Sequence, residues 1–158
     1  MLRIATKFLG DIDYRPDAVF SFPGGIPGFE SHREFLFLNV PEIAPLMFLQ
    51  NVSSRNLCFV LLPILTLAPD FRLELTPEEL GQLGLPAHRQ PKLGHDVLCA
   101  AILSVGNVGV GNKEIPFANL MAPLVVNLKT RVGIQAIHAE SGYSHRHPIT
   151  IEELALAC

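Results

Sequence analysis

Twelve glycines and thirteen prolines are spread along all 158 residues and cut the chain into short pieces. Proline fixes φ and lacks a backbone donor, and glycine weakens a helix, so neither sits well inside a long one. Between them lie apolar or alternating segments at residues 4–9, 18–22, 34–39, 47–52, 57–62, 71–75, 96–105, 124–128 and 134–138, each of which reads as a strand. Short strands separated by frequent turn residues predict a mainly β chain. The expected architecture is one small antiparallel β-barrel-like domain over residues 1–158, with one or two short helices. Residues 71–75 (Phe-Arg-Leu-Glu-Leu) alternate cleanly, which predicts one buried and one wet face. Residues 57–62 are apolar on both faces and belong at the centre of a sheet.

The stretch Phe20-Ser-Phe-Pro-Gly-Gly-Ile-Pro-Gly-Phe-Glu30 packs three glycines, two prolines and three phenylalanines into eleven residues. It reads as a shaped turn packed against something, with Pro23, Gly24, Gly25, Pro27 and Gly28 setting the path and Phe29 at the tip. Two helix starts are legible. Thr76-Pro-Glu-Glu79 offers a capping threonine, proline at the first helical position and glutamate three residues after the cap, with Gly84 placed to end the helix. Thr150-Ile-Glu-Glu153 repeats the pattern and predicts a short C-terminal helix. Residues 85–94, with two prolines and two histidines, read as a surface loop.

Hydrophobic residues make up 49% and charged residues 17%, which leaves few polar side chains to cover the surface. An exposed apolar patch that meets a partner is therefore expected. The net charge of −3 and the scattered lysines and arginines disfavour direct nucleic-acid binding. Cys58, Cys99 and Cys158 share no short spacing; an odd count without a secretion signal points to a reducing, cytoplasmic setting. The longest apolar run, residues 57–69, is broken by Pro63 and is too short for a membrane span.

Catalytic and metal readings find no support. Gly106-Asn-Val-Gly-Val-Gly-Asn-Lys113 has Asn112 where a phosphate loop needs lysine, and Glu114-Ile-Pro116 opposes the helix that should follow, so a hairpin connection is expected. His145 and His147 are two apart, with His138 or Glu140 as a conceivable third ligand, but Arg146 between them disfavours a cation. No Gly-x-Ser-x-Gly elbow occurs, and Cys99 in apolar surroundings is expected to be inert. The acidic pairs Asp11/Asp13 and Glu152/Glu153 sit beside turns or helix starts, where capping and solvation explain them. No catalytic residue, metal or cofactor is expected. Three classes are weighed on the residues alone: a binding protein, a small β-barrel enzyme or cofactor carrier with a pocket at the barrel mouth, and a ribosome- or RNA-associated barrel, which the charge disfavours.

Several elements taken together resemble one family. Thr6-Lys-Phe-Leu-Gly10 and Phe22-Pro-Gly-Gly-Ile-Pro-Gly-Phe-Glu30 are followed by Leu49-Gln50, Phe59-Val60, Pro69-Asp-Phe71 and Asn119-Leu-Met-Ala-Pro-Leu-Val-Val-Asn127. Thr130-Arg131, Gly133, Gln135 and Arg146-His-Pro148 complete the set. In this order the chain, from about residue 6 to 148, resembles the bacterial flagellar assembly factor FliW family. The resemblance implies a small barrel-like β fold without catalytic activity. It implies binding to CsrA, a dimeric RNA-binding translational repressor, and to flagellin near its terminal helices. The two partners would exchange, so that secretion of flagellin frees the protein to relieve CsrA repression. The chain departs from the family pattern before Asn119, where relatives carry carboxylates and this chain has the neutral stretch 106–111. That weakens a mechanism in which negative charge repels RNA from CsrA.

The candidate partner-binding residues are Leu49, Gln50, Pro69, Asp70, Phe71 and Asn119. Pro69 to Phe71 offer an aromatic and a carboxylate at the end of a strand, the kind of loop position that binds. Asn119, in an apolar run, either ties down backbone or faces a partner, and Leu49 and Gln50 share that ambiguity. The turn from Pro23 to Phe29 is assigned an architectural role. Replacing Asp70 and Phe71 together by alanine is expected to weaken partner binding and leave the fold intact.

Overall fold

Strands with an apolar face need edge partners, and here they find them around a closed ring. The computed structural model describes residues 1–107 and 114–150. A hairpin of β1 (Leu2–Thr6) and β2 (Gly10–Tyr14) comes first and forms its own two-stranded sheet. Then follow β3 (Phe20–Ser21), β4 (Glu34–Asn39), β5 (Met47–Asn51), β6 (Cys58–Pro63), β7 (Leu98–Asn107), β8 (Glu114–Asn127) and β9 (Val132–Gln135). They pair in the order β8-β7-β6-β5-β4-β3-β9, and β9 pairs back onto β8, closing a seven-stranded barrel. Every seam is antiparallel except β3–β9, where Ser21 pairs in parallel with Val132. β10 (His147–Pro148) adds to β8 outside the ring.

Alternation along the strands sorts apolar side chains into two cores. Ala100, Leu124 and Val126 join Phe22, Ile26, Phe35, Leu49 and Leu61 inside the ring. Their neighbours Cys99, Ala101 and Val125 turn outward to a second cluster with Phe71, Leu75, Leu80 and Leu83. Segments from residues 64 to 83, including α1 (Ile64–Leu67) and α2 (Pro77–Gln82), cover this outer cluster. The β7–β9 wall is thus buried on both sides, which is where much of the high apolar content goes.

The α2 start follows the sequence signal. Thr76 Oγ1 accepts from Glu79 N at 3.1 Å, and Glu79 Oε1 accepts from Thr76 N at 2.9 Å, with Pro77 at the first position. Gly84, at φ +70°, reverses the chain beyond it. In the 20–30 stretch, Gly25 N donates to Phe22 O at 2.8 Å and Phe29 N to Ile26 O at 2.7 Å. Gly28 at φ +89° after Pro27 is the arrangement of a type II turn. At Gly25, φ is +75° and a Cβ would lie 2.8 Å from the Glu30 backbone, so only glycine fits.

Some expectations meet a different outcome; the strands expected over 18–22 and 134–138, for example, are seen as Phe20–Ser21 and Val132–Gln135. The strand expected over 4–9 turns after Thr6, because Thr6 Oγ1 donates to Gly10 O at 2.6 Å and accepts from Leu9 N at 2.9 Å. The chain then returns as β2. Residues 71–75 alternate in burial as expected but pair with no strand among the described residues. The strand expected over 124–128 is the second half of a longer β8, which runs through Pro123 by means of a bulge. Ala100 pairs with Leu124 but Ile102 with Asn119, so the intervening β8 residues loop outward. The apolar 64–67 stretch forms α1, which no local signal announced. Of the expected hairpin connection over 106–113, residues 108–113 lie outside the described residues, as do the C-terminal helix expected after Thr150 and Cys158.

Candidate partner-binding cleft

The segment after α1 turns at Pro69 and Asp70, both exposed, with Phe71 N donating to Ala68 O at 2.9 Å. Residues 71–75 then run extended. Phe71 and Leu75 are buried and Arg72 and Glu74 exposed, so the alternation is that of a half-buried strand. Side chains supply the backbone bonds that a neighbouring strand would otherwise make. Gln90 Nε2 donates to Leu75 O at 2.9 Å, and Gln90 Oε1 accepts from Leu75 N at 2.8 Å. Tyr143 Oη accepts from Arg72 N at 3.1 Å.

The facing wall comes from the β8 bulge and the chain after β9. Asn119 Oδ1 accepts from Met121 N and Ala122 N, both at 3.1 Å, and so holds the bulge open. His138 N donates to Met121 O at 3.2 Å, and a 3-10 turn over Ala139–Ser141 ends at Gly142, φ +82°. The Tyr143 ring then lies against Phe71 with centroids 4.3 Å apart. His138 Nε2 meets Glu79 Oε1 at 2.9 Å and Oε2 at 3.2 Å, with the two side chains 21% and 17% exposed. That contact fastens the 138–143 strap to the start of α2. Between the walls lies an open cleft of about 930 Å³. Its floor includes Phe71, Leu73, Leu120, Met121 and Tyr143, and its polar lining includes Arg72, Glu74, Glu140 and the His138 imidazole.

The sequence candidates divide. Phe71 lines this cleft, and Pro69 and Asp70 stand exposed beside it. Asn119 adjoins it through Leu120 and spends its carbonyl oxygen on the bulge, so of its two readings the backbone tie is the one seen. Leu49 and Gln50 lie elsewhere and are fully buried, so neither offers a side chain to a partner. Gln50 Nε2 is ringed by the carbonyls of Asn51, Ser54, Arg55 and Leu57 at 3.1–3.3 Å, and its Oε1 accepts from Lys7 N at 3.1 Å. It ties the β1–β2 hairpin and the 51–57 loop to β5. Phe71 is only 6% exposed, so Phe71→Ala removes core and cannot be paired with Asp70→Ala as a fold-neutral change. Among the turn residues, Phe29 is 40% exposed and sets its ring edge-on to Phe59 at 5.2 Å.

Sequence reasoning missed Gln90, Met121 and Tyr143, and weighed His138 only as a metal ligand. No local signal marks them, because each acts on a segment far along the chain. Among the described residues, no three His, Cys, Asp or Glu side chains converge on a metal site. Burial pushes the Cys58 thiol up to about 11 and the Cys99 thiol to about 12. No helix among the described residues is long and apolar enough to cross a membrane.

Comparison with known proteins places this architecture. The family described as FliW protein matches residues 3–149. A flagellar assembly factor FliW from Geobacillus kaustophilus (strain HTA426) is 33% identical over 158 residues, covering 98% of this chain and 99% of the relative. One from Syntrophomonas wolfei is 30% identical over 148 residues, covering 94% and 88%. The crystal structure of a flagellar assembly factor FliW superposes with a TM-score of 0.77 at 32% identity, covering 92% of this chain and 95% of that one. On the match over nearly its whole length, this chain belongs to the FliW family of flagellar assembly factors.

Proposed function

We propose that this chain is a cytoplasmic regulatory binding protein that takes flagellin and a CsrA-type translational repressor as exchanging partners. While flagellin occupies it, CsrA is free to repress flagellin synthesis. When flagellin is secreted, the released protein binds CsrA and lifts that repression. The observation that carries this reading is the cleft between residues 71–76 and 138–143, with its apolar floor and charged rim. An amphipathic helix, such as a terminal helix of flagellin, seats its apolar face on such a floor and its polar flanks on such a rim.

The chemistry of the site supports binding over turnover. Its histidine is engaged with the part-buried Glu79 beside it, and the two described thiols lie outside the cleft and are held protonated at neutral pH. A net charge of −3 suits a protein that meets an RNA-binding protein without competing for phosphates. The neutral 106–111 stretch gives little support to charge repulsion of RNA, so CsrA is inhibited here by occupation of its surface. The test is calorimetric titration of the purified protein with flagellin and with CsrA from the same genome. Saturable binding of each, and reduced CsrA binding by a preformed flagellin complex, is the expected result. Absence of binding to both proteins refutes the reading.

A further inference from the structure

On a chain of net charge −3, one region runs the other way. The 84–96 loop and the 127–131 turn together carry Arg89, Lys92, Lys129 and Arg131, against a single carboxylate, Asp96. The two segments are fastened to each other. Asn127 Nδ2 donates to Leu83 O at 2.8 Å, and Thr130 Oγ1 donates to the same oxygen at 3.3 Å. Asn127 Oδ1 accepts from Lys129 N at 3.0 Å, and Arg131 N donates to Asn127 O at 2.8 Å. Arg131 sits at φ +58°, the only non-glycine residue with positive φ among the described residues. An L-residue there is strained, and it persists because the surrounding bonds over-determine the turn. The result is a rigid mount.

That mount holds an open cleft of about 590 Å³ lined by Arg89 from the loop and Lys129 from the turn. Neither side chain has a hydrogen bond or ion pair within the described residues. Asp96, the lining carboxylate, accepts from Lys92 N at 2.7 Å and meets His95 Nδ1 at 3.1 Å, and Arg89 acts on it only through space, without a hydrogen bond or close ion pair. Beside the cations the lining is apolar: Leu85, Pro86, Pro91 and Leu128, the last 53% exposed. Two exposed cations beside aliphatic side chains, one of them sharing the field of a single carboxylate, match a peptide that alternates carboxylates with aliphatic side chains. Among the described residues the lining contains no Phe, Tyr or Trp, so single-stranded nucleic acid would have phosphate contacts without the stacking that normally accompanies them.

We infer that this cleft is a second docking site, separate from the Phe71–Tyr143 cleft, for an acidic, aliphatic-containing peptide segment of a partner protein. Arg89 and Lys129 bind its carboxylates, and Leu128 and Pro86 take its apolar side chain.

The experiment titrates the uniformly 15N-labelled full chain with an acetylated, amidated hexapeptide, Asp-Leu-Asp-Glu-Leu-Asp, and follows amide shifts. Saturable shifts confined to residues 84–96 and 127–131 are expected. Affinity should fall at least tenfold in Arg89→Ala/Lys129→Ala, whose melting temperature stays unchanged because both side chains are exposed, and should fall likewise for the Asn/Gln version of the peptide. The inference is overturned by shifts elsewhere, by equal binding to the double variant, by no shift at millimolar peptide, or by tighter binding of a uridine oligonucleotide at the same residues. Flagellin binding at the other cleft is measured separately on the same variant, so the two readings fail independently.

Discussion

Gly133→Ala tests the closing seam of the barrel. Gly133 lies on β9 beside Phe22, and a Cβ there would stand 2.5 and 2.6 Å from two carbons of the Phe22 ring. That ring has no room to retreat, since Phe22 is fully buried and packs edge-on against Phe35 at 5.5 Å. Overpacking a tight core costs about 1–3 kcal/mol, and a contact this short on a trapped ring belongs at the upper end. Replacing glycine also removes freedom from the unfolded chain, which returns about 0.4–1 kcal/mol. The net expectation is a loss of about 2 kcal/mol. With a urea m-value of about 2 kcal/mol/M, the unfolding midpoint falls by about 1 M with m unchanged. The partner change, Phe22→Leu, shrinks the obstructing ring and costs about 1–2 kcal/mol alone. Because the two side chains compete for one space, the double variant should be more stable than the sum of the single losses predicts, by at least about 1 kcal/mol. Additive losses, or a Gly133→Ala protein as stable as the parent, would refute the close-approach argument.

Within the 20–30 turn, Gly25→Ala should destabilise more than Gly28→Ala. Both sit at positive φ, worth about 1–2 kcal/mol for an L-residue, but only Gly25 also meets backbone, and the order of melting temperatures decides the matter. Gln50→Glu, nearly the same shape, would set a carboxylate against four carbonyl oxygens and should cost more than Gln50→Ala, itself about 2–3 kcal/mol; urea unfolding of both checks the order. In a Cys158→Ser background, native protein at pH 8 should react with a thiol reagent far more slowly than the urea-unfolded chain does. Burial holds the Cys58 and Cys99 thiols at about 11 and 12, so the native rate should still climb as pH rises through 10; a rate that levels off near pH 8.5 contradicts this.

Features whose cause is local were readable in the sequence. The Thr76 to Glu79 capping box forms because its donors and acceptors are three residues apart, and the glycine and proline pattern at 23–28 dictates a turn wherever it occurs. Residues 71–75 show the limit. Their alternation correctly gives which side chains are buried, but strand pairing depends on what lies alongside. There the neighbours are side chains of Gln90 and Tyr143, 15 and 71 residues from their partners. Pro123 concealed the first half of β8, because the bulge that accommodates it relies on the Asn119 side chain. Leu49 and Gln50 looked like surface candidates because an amide in an apolar run is ambiguous until its carbonyl partners are known. The cleft itself is assembled from residues near 71–76, 90–93, 120–121 and 138–143, and no window of sequence contains it.

Backbone hydrogen exchange of the protein alone and saturated with flagellin most directly probes whether it works by seating a partner helix in this cleft. Slowed exchange concentrated at residues 71–76 and 138–143, with the 23–30 turn unaffected, is the predicted outcome. Protection that spares both cleft walls while appearing elsewhere on the barrel would contradict it.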